Sequence, residues 1–118
     1  MTPLAAVSLA EAITEHLALL LGRIRAHAAR SPSSRSPKYT LIPTGDGGCS
    51  LSEYGGTPHD PEVVTRVAAL VARRRELGAR RTALLRALVE THGEPLRVGD
   101  YVIDRGEGGY RVRPVVRL

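Results

Sequence analysis

Two stretches of this chain repeat one pattern, and that pattern limits what it can fold into. Tyr39-Thr-Leu-Ile-Pro-Thr-Gly-Asp-Gly-Gly-Cys-Ser-Leu51 is echoed by Tyr101-Val-Ile-Asp-Arg-Gly-Glu-Gly-Gly-Tyr-Arg-Val112. Each is a Tyr-led apolar run, a Gly-acid-Gly-Gly turn and a second alternating run, which is the signature of a β-hairpin. Each follows a helix-like segment, so the order is helix–hairpin–helix–hairpin. An isolated hairpin is marginal in water. The expected architecture is therefore α+β: two helices packed on an antiparallel sheet formed by two β-hairpins, in a single domain spanning 1–118. The echo also admits a duplication of one helix–hairpin unit.

The first helix is expected at about 8–30, opened by the capping box Ser8-Leu-Ala-Glu11. Ala6, Ala10, Ile13, Leu17, Leu20 and Ile24 recur at steps of three and four and make one apolar stripe. Glu11 and Glu15 come early and Arg23, Arg25 and Arg30 late, the order that suits the helix dipole. A Ser/Pro linker at about 31–38 follows. The first hairpin is expected at about 39–54, with Tyr39, Leu41, Cys49 and Leu51 on one face.

The second helix is expected at about 61–92, with Asp60 as N-cap, Pro61 at the first helical position and Gly93 and Pro95 as its stop. Val63, Leu70, Leu77 and Leu84 fall seven apart. Val67, Arg74, Arg81 and Leu88 take the other seam position, so a heptad-like stripe carries two arginines in its middle. Gly78 lies in the same stretch, at a cost of about 1 kcal/mol against Ala. The last hairpin is expected at about 96–117, with Tyr101, Ile103, Tyr110 and Val112 on one face and Arg111 and Arg113 on the other. Pro114 has no amide proton, which places its strand at an edge or a bulge.

The core must be aliphatic, because the chain has no Phe, no Trp and four Tyr. Aliphatic side chains bury less area each than aromatic ones, so the core is thin. A single cysteine, Cys49, excludes an intrachain disulfide and fits a reducing compartment. No signal peptide is expected. Glu11 and Glu15 interrupt the first apolar stretch, and no run approaches the roughly 18 residues of a membrane span. The expected location is cytoplasmic, with no membrane partner.

The net charge is +5, and only Lys38 among 17 basic residues is not arginine. That excess collects in the second helix. Arg73, Arg74, Arg75, Arg80, Arg81 and Arg86 stand within 14 residues against the single acid Glu76. Arginine forks match phosphate oxygens, and neutralising a duplex backbone releases counterions. Arg111 and Arg113, with Arg117 and Arg97 near them, would extend that surface. Tyr101 and Tyr110 fall on the opposite face, which disfavours base stacking and favours backbone contact.

The Gly45–Gly48 and Gly106–Gly109 turns lack the Lys-Ser/Thr of a phosphate loop and do not open into helices, so they read as hairpin turns. Cys49 with His59 and Asp60 has no activating context for a nucleophile. His16 and His27 are roughly 16 Å apart along one helix, too far for one metal. No catalytic residue, metal or cofactor is assigned. The expected function is a small basic non-enzymatic binding protein contacting nucleic acid, DNA or RNA and foremost a DNA duplex backbone, through the arginine-rich helix. The alternative is a protein-interaction or assembly module. Its interface would be Val63, Leu70, Leu77 and Leu84, set against a second copy in a homodimer or another protein.

Overall fold

The computed structural model describes residues 1–29, 39–43, 49–53, 61–106 and 109–115. It is α+β. Helix α1 spans Pro3–Ala29, strands β1 and β2 span Tyr39–Pro43 and Cys49–Glu53, and helix α2 spans Pro61–His92. Strands β3 (Leu96–Val98), β4 (Tyr101–Gly106) and β5 (Gly109–Pro114) complete the chain.

Helix α1 begins a turn earlier than its capping box suggests. The Thr2 hydroxyl accepts from the Ala5 amide at 3.1 Å, the Thr2 carbonyl accepts from Ala6 at 3.0 Å, and Pro3 takes the first helical position. Thr before Pro is itself a start signal, since the hydroxyl caps orphan amides and Pro presets φ. The Ser8–Glu11 box therefore sits inside the helix, and the buried Val7 joins Ala6 and Ala10 on its stripe. Within Pro3–His27 the helix is long and apolar enough, by length and composition alone, to cross a membrane, with a mean hydropathy of 1.6 over its most apolar 18 residues. This corrects the expectation that no segment reaches that length: its many Ala and Leu outweigh Glu11 and Glu15.

Helix α2 runs unbroken through Gly78. It ends where expected: Gly93 has φ of 90° and donates its amide to the Val89 carbonyl at 2.8 Å. That left-handed cap is open to glycine without a side-chain penalty. Asp60, the expected N-cap, lies outside the described residues.

The two helices pack antiparallel along their stripes. Ile13, Leu20 and Leu77 are buried together, with Leu9, Leu17, Leu70 and Leu84 against them. Nearer the sheet, Ala6, Val7 and Ala10 of α1 meet Leu85, Leu88 and Val89 of α2 over Val98 and Ile103. Leu96, Tyr101, Tyr110 and Val112 close around that cluster, so the expected inner face of the last hairpin does face the core. No aromatic ring is fully buried among the described residues, and fully burying each aliphatic side chain contributes about 1.5–3 kcal/mol.

The sheet differs from expectation in two ways. The hairpins do not merge into a four-stranded sheet: β1–β2 is a separate two-stranded ladder, and β3–β4–β5 forms an antiparallel sheet of three. The backbone of β1 lies against α1 instead. Second, the first arm of the last hairpin is itself broken by a turn into β3 and β4. Gly99, with φ of 56°, and Asp100 turn the chain so that Val98 pairs with Tyr101 and Leu96 with Ile103. A Gly-Asp pair between apolar residues is a two-residue hairpin signal, here hidden beneath the continuous alternation around it. In the β4–β5 hairpin Gly106 pairs with Gly109, and residues 107–108 lie outside the described residues. The other Gly-rich turn, 44–48, lies outside the described residues, as do the side chains of Tyr39, Leu41, Cys49 and Leu51. Leu41 does pair with Leu51.

Leu85 and Ile103 are both 0% exposed where helices and sheet meet. Leu85→Ala should cost about 2–5 kcal/mol, read as a fall in the urea midpoint with little change in slope. A loss below about 1 kcal/mol would contradict this account of the core.

Candidate polyanion-binding face

The arginines of α2 sort by helical geometry into three groups. Val89 belongs to the cluster around Val98 and Ile103 and so marks the side of α2 that faces the sheet. At about 100° per residue, Arg80, Arg73 and Arg66 lie about 180°, 160° and 140° from it. All three are exposed on the side turned away from the sheet. Arg75 and Arg86 lie about 40° and 60° from Val89, exposed on the sheet side. Arg74 and Arg81 lie about 60° and 80° from Val89 in the opposite sense to Arg75 and Arg86, against α1, and are half-buried.

Those two seam arginines are structural. Arg74 Nε donates to the Leu17 carbonyl at 3.2 Å. Arg81 Nε donates to Thr14 Oγ1 at 2.7 Å, and its Nη1 donates to the Tyr110 carbonyl at 3.0 Å. Thr14 in turn donates to the Ala10 carbonyl at 3.0 Å. Arg81 thus ties α2 to α1 and to β5. Burial pushes its guanidinium below the usual arginine range, while Glu11 pulls in the opposite direction. Both aliphatic stems cover the thin core, so the charge stays near water while the methylenes pack.

Arg81 also guards an open edge. The Arg105 amide donates to Glu94 Oε1 at 3.0 Å, away from β5. In an antiparallel ladder its partner Tyr110 then points its own backbone groups away from β4, toward the free edge of β5. Val112 and Pro114 follow the same alternation. Arg81 occupies the Tyr110 carbonyl and Pro114 has no amide proton, two devices that blunt edge pairing.

On the outer face of the sheet, Arg111 and Arg113 share Asp104. Arg111 donates through Nε and Nη2 at 3.3 Å each, and Arg113 Nη2 donates at 2.6 Å. The Asp104 side chain is only 16% exposed, so water and salt screen both pairs less than at a fully exposed site. Arg97 Nε donates to the Gly99 carbonyl at 3.4 Å. Arg117 lies outside the described residues.

The six expected arginines of α2 therefore do not form one patch. What the fold adds is a row that sequence reasoning passed over: Arg66, Arg73 and Arg80, seven apart, each about 10.5 Å further along the helix. Exact heptad spacing was the available signal, masked by the denser cluster beside it. Helix α1 contributes to the same side. Val7 faces the sheet, and His16, Arg23 and His27 lie about 180°, 160° and 160° from it. Two acids share this side, Glu62 and Glu76, and Arg73 Nη1 meets Glu76 at 3.5 Å in an exposed pair that contributes little. Of the expected partner interface, Leu77 is buried and Leu70 and Leu84 are half-buried against α1. The Val63 side chain lies outside the described set.

No metal-ligating cluster of three or more His, Cys, Asp or Glu occurs among the described residues. Comparison with known proteins finds no matching family model and no similar curated protein or solved structure.

Arg81→Ala should cost about 1–3 kcal/mol by leaving the Tyr110 carbonyl and Thr14 hydroxyl without their donor. Arg73→Ala, which loses only an exposed pair, should stay within about 0.5 kcal/mol. Urea unfolding of the two variants side by side checks the contrast, and equal losses would refute it.

Proposed function

We propose that this protein binds a nucleic-acid duplex through its phosphate backbone, using the helical face turned away from the sheet. One observation carries the reading: Arg66, Arg73 and Arg80 of α2 and Arg23 of α1 share that exposed face, while Arg74, Arg81, Arg111 and Arg113 are engaged within the fold. Three arginines spaced along roughly 21 Å of helix suit a regular row of phosphates, which carries one charge per 3.4 Å along each strand. Nothing in the row reads bases, so the contact is one of charge and spacing, indifferent to sequence.

Assembly through the heptad stripe fits the geometry less well. Leu77 is buried and Leu70 and Leu84 are half-buried against α1, so a second copy could use the whole stripe only by displacing or exchanging α1. Elution from a sizing column as a monomer at high concentration counts against that reading, and a stable dimer would favour it.

With about three phosphates neutralised, affinity for a mixed-sequence duplex should fall about fortyfold between 50 and 200 mM salt. The paired change Arg73→Glu with Arg80→Glu should weaken binding at least about tenfold and flatten the salt slope. Arg111→Ala should leave it within about twofold, because that side chain is held by Asp104. Fluorescence anisotropy with a labelled duplex measures all three. Full binding by the double variant would rule out this face.

A further inference from the structure

A cleft lies on the sheet side, apart from the arginine row. Arg86 and Glu90, one turn apart on α2, face Arg105, Gly106, Gly109 and Tyr110 of the β4–β5 hairpin across a cleft of about 400 Å³. The cleft is shallow and opens widely to solvent, so a ligand held there would keep one side in water. Its lining is mixed in a particular way. Arg86 and Arg105 bring two guanidinium forks, and Arg105 is held in place by Glu94, whose Oε2 accepts from its Nε at 3.2 Å. Tyr110 packs against the core cluster, is only partly buried, and also lines the cleft. Glu90 adds one acceptor. Gly106 and Gly109 bring no side chain, so backbone forms that wall. Gly109, with φ of 140°, holds a conformation that suits glycine.

Each lining group answers a different part of one ligand. Guanidinium forks match a phosphate. A tyrosine ring stacks on a planar base. A carboxylate accepts from a ribose hydroxyl or an exocyclic amine. We propose that this cleft binds a mononucleotide, either free or as the terminal nucleotide of a strand. Sequence spacing alone could not assemble it, because Arg86, Arg105 and Tyr110 come from three elements.

The test is NMR titration of the whole protein with adenosine monophosphate, inorganic phosphate and adenosine, each at millimolar concentration. The monophosphate should shift the amides of Gly106, Gly109 and Tyr110 and bind at least about tenfold more tightly than either fragment. Arg86→Glu, on an exposed helix position, should weaken it about tenfold or more while thermal unfolding stays unchanged. Tyr110→Leu should weaken it about fivefold or more, since base stacking contributes about 1–3 kcal/mol. The Arg73→Glu, Arg80→Glu variant should bind the monophosphate as the parent does, so the two sites fail or stand separately. A 5′-phosphorylated single strand that shifts the same amides at lower concentration assigns the terminal nucleotide; weaker binding than the monophosphate assigns the free one. No shift at those three amides, equal affinity for phosphate alone, or an indifferent Arg86→Glu would overturn the proposal.

Discussion

The antiparallel contact between α1 and α2 is the constraint on which the rest depends. Neither helix could keep its stripe in water, and with no Phe or Trp there is no large ring to bridge a wider gap. The helices must approach along Ile13, Leu20 and Leu77, with the smaller Ala6 and Ala10 near the sheet. That approach converts two arginines in an apolar seam from a liability into crosslinks. Arg74 and Arg81 reach polar atoms of α1, and Arg81 continues to β5. A half-buried guanidinium is tolerable here because its donors find partners while its stem replaces missing core volume.

From that contact the distribution of charge follows. One helix of 32 residues presents arginine on three sides, and each side has a different environment. Facing α1, arginine becomes structure. Facing the sheet, Arg86 becomes part of a cleft. Facing away from both, Arg66, Arg73 and Arg80 are exposed, and Arg73 makes only an exposed pair with Glu76. The same residue type takes three roles because desolvation and available acceptors change around the helix axis.

The sheet illustrates how far local pattern carries. The alternation from Tyr101 to Val112 correctly separates the core face from the arginine face, since a pleated strand alternates whatever it packs on. Gly106 pairs with Gly109 at the end of the β4–β5 ladder, in keeping with a hairpin there. Thr2–Pro3 and Gly99–Asp100 were equally legible signals, overshadowed by a capping box and by a longer apolar run. Pairing between the two hairpins was not legible. The side-chain period says which residues share a face but not which edges meet, and β1 packs beside α1 rather than on β3 or β5.

By itself the sequence determined the α+β class, the extent of α2, the glycine stop at Gly93, the inner face of the last hairpin and the aliphatic nature of the core. Each of these is decided within a few residues by propensity, capping or periodicity. Only the tertiary structure decided which arginines remain available, because exposure depends on what packs against each side of a helix. It separated the hairpins into two sheets, gave Arg81 its place at the β5 edge, and brought Arg86, Arg105 and Tyr110 around one cleft. Those are contacts between residues far apart in the chain, where local pattern holds no information about distance.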